Sequence, residues 1–68
     1  MFPVNMIYQP TEQDKPITVS VYNFETTYDS EGTPTTVFVT AWENNSKRWL
    51  IAPIGCFQSK QKKTLKEG

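Results

Sequence analysis

The chain has 68 residues, a formal net charge of zero and an aromatic content of 13%. This length suits one domain and is too short for two, and the aromatic content argues against a disordered chain. No apolar run approaches the roughly 20 residues of a membrane-spanning helix, so we expect no membrane partner. Cys56 is the one cysteine, which excludes an internal disulfide and favours a cytoplasmic protein over a secreted one.

The first half of the chain predicts two strands. A short strand is expected in residues 3–8, between two prolines, and a polar loop follows it. Residues 17–28 are rich in β-branched and aromatic side chains and predict a long strand. Its apolar residues occupy odd positions up to Val21 and even positions from Tyr22 onward. Such a change of face is typical of a bulge or a bend, and we expect it at Asn23.

The second half predicts two more strands, in residues 35–43 and 48–54. Asp29 and Gly32 indicate a turn before the first of them. Residues 44–47 predict a hairpin connection, because asparagine tolerates the left-handed conformation. The spacing W-x-I-x-P-I that begins at Trp49 resembles strands of SH3-like barrels, and it is too short to imply a function.

Together these elements predict an all-β fold for residues 1–58. We expect a small antiparallel meander that closes into an SH3-like or similar small barrel of four to five strands. An open sheet covered by the terminal segment is the alternative. Residues 59–68 form a basic polar tail, expected to be a short helix or disordered, which carries Lys60, Lys62, Lys63 and Lys66.

Charge is distributed unevenly along the chain. Residues 1–46 carry six acidic side chains and one basic one, and residues 47–68 carry six basic side chains and one acidic one. The basic end could meet an acidic partner or pair with the protein's own acidic part. A dedicated nucleic-acid-binding domain is usually basic overall, which this chain is not.

No set of residues indicates catalysis or metal binding. The chain has no histidine, which removes the usual general base near neutral pH and the commonest metal ligand. Cys56 lacks a histidine partner and is expected to be a small packed residue. The carboxylates are scattered and the three glycines lie apart. We therefore expect no enzyme activity, no cofactor and no metal.

The aromatic side chains are the candidate site. Phe38 and Trp42 share one face of their strand, and hairpin register brings Trp49 close to a pairing with Trp42. Tyr22 and Phe24 are expected on the same side, on the neighbouring strand. These residues either form a second half of the core or are exposed and bind a partner.

Two functions follow from the sequence. The first is a non-enzymatic small binding protein that docks on a larger protein, for example a phage or mobile-element accessory protein that modulates host machinery. Self-association into a homodimer belongs to this hypothesis. The alternative is a nucleic-acid-binding small barrel that uses the aromatic face, Arg48 and the basic tail. The candidate partner-binding residues are Tyr22, Phe38, Trp42, Arg48 and Trp49.

Overall fold

The computed structural model describes residues 2–59 and contains one antiparallel sheet of five strands. The strands are β1 (Val4–Tyr8), β2 (Ile17–Tyr28), β3 (Pro34–Glu43), β4 (Arg48–Pro53) and β5 (Phe57–Ser59), with a 3₁₀ turn at Ile54–Cys56. The predicted all-β, antiparallel architecture of four to five strands is confirmed, with five strands in one sheet. The lysines of the predicted tail lie outside the described residues.

The sheet is open. Its strand order is β4-β3-β2-β1-β5, so β4 and β5 are the two edges. Within residues 2–59 no pairing joins these two edges, and the predicted closure into an SH3-like barrel is therefore not confirmed.

The sheet is nevertheless strongly curled, because a short connection joins its two edges. Pro53 at the end of β4 is level with Glu25 of β2, whereas Phe57 at the start of β5 is level with Ile17. In a flat sheet with this register the two ends would lie about 30 Å apart. The connection through the turn Ile54–Cys56 has only four residue steps from Pro53 to Phe57. Four steps reach at most about 14 Å, which is less than half of the flat-sheet distance. The long strand β2 must therefore bend between its two halves.

A β-bulge marks this bend. The pairing of β2 with β3 shifts between Val21, which faces Ala41, and Asn23, which faces Thr40. Tyr22 is thus the extra residue. The predicted bulge is confirmed, but it falls on Tyr22 rather than on Asn23. A bulge adds twist and redirects side chains on its strand, which explains why the apolar pattern changes parity at this point.

The inner face of the curled sheet holds a small core. Its buried members come from strands β2 to β5, and they are Val19, Val21, Val39, Ala41, Ala52 and Phe57. Met6, Tyr8, Ile17, Leu50 and Cys56 pack against them, and the Tyr8 and Phe57 rings lie 5.1 Å apart. Each fully buried valine contributes roughly 1.5–3 kcal/mol, so a core of this size leaves a modest margin of stability.

The two hairpin turns differ in how well the sequence predicts them. Asp29 accepts hydrogen bonds through its Oδ1 from the N–H groups of Glu31 and Thr33, at 2.8 and 2.9 Å, and Gly32 has a φ of 87°. This turn is built as predicted. In the second turn the left-handed residue is Lys47, with a φ of 56°. The expectation that an asparagine would take this conformation is wrong.

Candidate functional site

Three aromatic rings form a cluster on the outer face of the sheet. Trp42 of β3 stands directly opposite Trp49 of β4, and their rings meet at 5.1 Å with an interplanar angle of 63°. Tyr22 meets Trp49 at 5.5 Å and 72°. Edge-to-face contacts of this kind stabilise a pair of rings by about 0.5–1.5 kcal/mol beyond their burial. The cluster is therefore a preformed surface rather than three independent side chains.

The alternation of side chains along the strands extends this surface. Phe38 and Thr40 lie on the same side of β3 as Trp42, and Ile51 lies on the same side of β4 as Trp49. We call the apolar members the aromatic face, and they are Tyr22, Phe38, Trp42, Trp49 and Ile51.

The part of the aromatic face that β4 contributes is exposed to solvent. Trp49 is 57% exposed, Ile51 is 69% exposed and Tyr22 is 44% exposed, whereas Phe38 and Trp42 are half-buried. The tryptophan pair thus has one supporting ring and one presented ring. Large apolar side chains grouped on a wet surface usually mark an interaction site.

The bulge decides which aromatic residues join the face. Tyr22 contacts Trp49 on the outer side. Phe24 stands opposite the buried Val39, and its ring contacts Phe2 at 5.4 Å. The prediction that Tyr22 and Phe24 share a side is therefore wrong. A strict two-residue alternation would put them together, and the extra residue in β2 separates them.

Arg48 points away from the aromatic face. It stands opposite Glu43, one position before Trp49, so its side chain belongs to the other side of the sheet. Its Nε donates a hydrogen bond of 2.7 Å to Oε1 of Glu43, a carboxylate only 5% exposed. The Ser46 hydroxyl donates to Oε2 at 3.0 Å. Both carboxylate oxygens thus have partners, and Arg48 is held in place.

This ion pair also sets the protonation of Glu43. The bonded Arg48 guanidinium lowers the pKa of Glu43 below its usual value, against the opposing effect of burial, and the Ser46 hydroxyl acts in the same direction as Arg48. A charge that is buried and fully hydrogen-bonded is stable only while both partners remain. Arg48 therefore stabilises the β3–β4 hairpin through its hydrogen bond to Glu43.

The strands bring little positive charge to the aromatic face. Among residues 4–8, 17–28, 34–43, 48–53 and 57–59, which form the sheet, Arg48 is the one basic side chain. Glu25 stands opposite Phe38, on the outer side. The sheet itself therefore presents aromatic rings beside an acidic group, not beside a basic groove.

Sequence reasoning missed Ile51. Within residues 2–59, Ile51 has the largest exposed fraction of any large apolar side chain. It lies on the outer side of β4, as Trp49 does. The signal was present, because residues two apart in a strand share a face. The prediction selected aromatic residues, and on this side of β4 it therefore included Trp49 but not Ile51.

A second surface feature lies at the opposite end of the sheet from Phe38. An open pocket of about 350 Å³ is lined by Tyr8, Pro10, Asp14, Lys15, Ile17, Glu43 and Arg48. It contains two acidic and two basic side chains, and the Glu43–Arg48 pair is already satisfied. Within residues 2–59 there is no group of three or more side chains arranged to hold a metal ion.

Comparisons with known proteins give no relative. No family model matches the chain, and neither a curated protein nor a solved structure is significantly similar. The described part of the chain also contains no helix long and apolar enough to cross a membrane.

Proposed function

We propose that the protein is a non-enzymatic binding module that docks on a larger protein through its aromatic face. The observation that carries this proposal is the Tyr22–Trp49–Trp42 cluster, in which the central ring is 57% exposed. Tryptophan and tyrosine are enriched among the residues that dominate binding energies at protein interfaces. Trp49 is the expected anchor, and Ile51 and Tyr22 flank it.

The rigidity of the cluster supports the proposal. An exposed side chain that becomes ordered on binding costs about 0.5–1.5 kcal/mol. Here Trp42 and Tyr22 already hold Trp49 from two sides, so much of this cost has been met in the free protein. A role as a small accessory protein, of phage or mobile-element origin, that modulates host machinery by docking on it remains part of the proposal.

Charge placement favours protein over nucleic acid as the partner. A surface that holds a single strand combines stacking rings with a groove of basic side chains along the backbone. Arg48 lies on the other side of the sheet and is bonded to Glu43, and Glu25 lies near Phe38. The basic residues Lys60, Lys62, Lys63 and Lys66 belong to the tail outside the described residues, and the nucleic-acid alternative depends on them.

Capture at two salt concentrations tests the proposal. The immobilised chain is exposed to a nuclease-treated lysate of its native cells and washed at about 0.1 M and about 1 M salt, since phosphate contacts weaken steeply with salt. We expect a protein to be retained in both washes, and at least about tenfold less of it with Trp49→Ala. The Phe24→Ala variant, which removes an exposed ring from the other side of the sheet, should retain it fully.

Two results would contradict the proposal. One is retention that disappears in the high-salt wash and that added single-stranded DNA competes away at about 0.1 M salt, which would support the nucleic-acid alternative. The other is equal retention by Trp49→Ala and the unaltered chain, which would place the contact elsewhere.

A further inference from the structure

Within residues 2–59, the backbone groups along the free edge of β4, the edge away from β3, have no strand partner. In the described part of the chain β4 pairs with β3 alone. Hydrogen-bonded and non-hydrogen-bonded pairs alternate along an antiparallel ladder. Pro53 has no N–H to donate, which assigns its pair with Phe38 to the non-hydrogen-bonded set, together with the Trp42–Trp49 pair. The backbone groups of Trp49 and Ile51 therefore point away from β3.

Strand β4 lacks most of the features that normally prevent an edge strand from pairing with another chain. Exposed edge strands usually carry an inward-pointing charge, a bulge or a central proline. The pairing of β3 with β4 runs without a register shift. Pro53 is the last residue of the strand, and Arg48 is the first. Between them lies the apolar stretch from Trp49 to Ala52, whose alternate side chains Trp49 and Ile51 are exposed.

We propose that β4 pairs antiparallel with β4 of a second copy of this chain, about a two-fold axis at Leu50. In this register Trp49 stands opposite Ile51 of the second copy, and the N–H and C=O of both residues find partners. Pro53 falls beyond these bonds, opposite Lys47 of the second copy. A register centred on Ile51 instead would leave the carbonyl of Trp49 facing a proline nitrogen, so the axis at Leu50 is preferred.

The side chains of β4 are self-complementary in this register. On the outer side the exposed Trp49 and Ile51 become cross-strand neighbours, which covers apolar surface on both copies. On the inner side Arg48 meets Ala52 of the second copy, and Leu50 meets its own equivalent, so no like charges are opposed. The chain has no net charge, and two copies therefore do not repel one another at long range.

The proposed dimer does not depend on the proposed docking function, although it would enlarge the surface available for docking. It would join two sheets edge to edge and make their aromatic faces continuous. Pairing of one short strand gives an interface in the small class, below about 1,200 Å². We therefore expect a reversible dimer with a dissociation constant in the micromolar range, on the order of 10 µM, which is about −7 kcal/mol.

Sedimentation velocity of the full chain over a concentration series tests the proposal. The unaltered chain should pass from the mass of one chain to that of two between about 1 µM and about 300 µM. Ile51→Pro removes an N–H that points to the open side and leaves the β3 ladder intact, and Ile51→Lys places a charge on the edge. Both variants should raise the dissociation constant at least about tenfold. Thermal unfolding would verify that both remain folded.

The matched control is Ile54→Lys, which alters an exposed isoleucine three positions later, in the 3₁₀ turn outside β4. It should dimerise like the unaltered chain. A single-chain mass at every concentration, or dimers unaffected by both Ile51 substitutions, would overturn the proposal. Phe38→Ala separates this proposal from the proposed function, because Phe38 belongs to the aromatic face but stands opposite Pro53, beyond the hydrogen bonds of the dimer, and its replacement should leave the dimer unchanged.

Discussion

Trp42 supports Trp49: the two rings meet edge to face at 5.1 Å across the β3–β4 pair, and only the Trp49 ring is largely exposed. The neighbouring Arg48 lies on the other side of the sheet, because successive strand residues alternate, and its Nε donates a hydrogen bond to Glu43 there. The hairpin thus separates its exposed ring from its positive charge. Such a surface suits a contact with another protein better than a contact with phosphates.

Replacement of Trp49 by alanine should have a small effect on folding. The change removes two ring contacts of about 0.5–1.5 kcal/mol each from a side chain that is more than half exposed, and we expect a loss of about 1–2 kcal/mol in the free energy of unfolding. Val39→Ala, in contrast, empties part of the fully buried core and should cost about 2 kcal/mol. Urea unfolding followed by circular dichroism measures both. A larger loss for Trp49→Ala than for Val39→Ala would make Trp49 a core residue and contradict the aromatic face as a binding surface.

Acid should weaken the fold partly through Glu43. Because Arg48 and Ser46 lower the pKa of this carboxyl in the folded state, its contribution is complete above its unfolded pKa of about 4.3. The contribution is lost as the pH falls through the lower, folded pKa. We therefore expect the free energy of unfolding to fall between about pH 5 and about pH 3, and to fall less steeply for Glu43→Gln.

The matched control for Glu43 is Glu31→Gln. Glu31 is an exposed carboxylate of the β2–β3 turn, and its replacement should preserve the slope of the unaltered chain. Thermal unfolding midpoints measured across this pH range give both slopes. Equal slopes for Glu43→Gln and the unaltered chain would show that the ion pair contributes nothing to acid sensitivity.

The two described internal glycines should respond differently to alanine. Gly32 has a φ of 87°, and an added Cβ would meet nothing within 4 Å. The penalty for Gly32→Ala is therefore purely conformational, about 1–2 kcal/mol. Gly55 is equally open, and its φ is not in the left-handed region. Gly55→Ala should be neutral or stabilise by up to about 1 kcal/mol, and a similar loss at both positions would contradict this explanation.

Strand positions and the aromatic pairing were predictable because they depend on local patterns. The β-branched and aromatic run of residues 17–28 indicated β2, and hairpin register placed Trp42 near Trp49, as observed. The side of Phe24 was not predictable in the same way. A pattern shows that parity changes, but Tyr22 and Asn23 are both compatible with the bulge, and this choice decides where each side chain points.

Features that depend on contacts between distant parts of the chain, such as β5 and its pairing, could not be predicted for a different reason. The strand β5 has only three residues, Phe57–Ser59, and no periodicity can be read from so few. Its pairing with β1, and the short turn before it, determine how far the sheet curls. The pairing of Glu43 with Arg48 was accessible, because the predicted connection at residues 44–47 places these two residues opposite one another. The burial of Glu43 was not, since it depends on how the whole sheet curls.

Site-specific photocrosslinking tests whether the aromatic face binds a protein. Tyr22 and Tyr28 are both exposed tyrosines of β2, and in the described chain only Tyr22 contacts the ring cluster. Each is replaced in turn by photoreactive benzoylphenylalanine, and the protein is irradiated in its native cells. We expect one protein to be crosslinked from position 22 and to be absent from the crosslinks of position 28. Equal crosslinking from both positions, or crosslinks from position 22 to nucleic acid, would contradict this expectation.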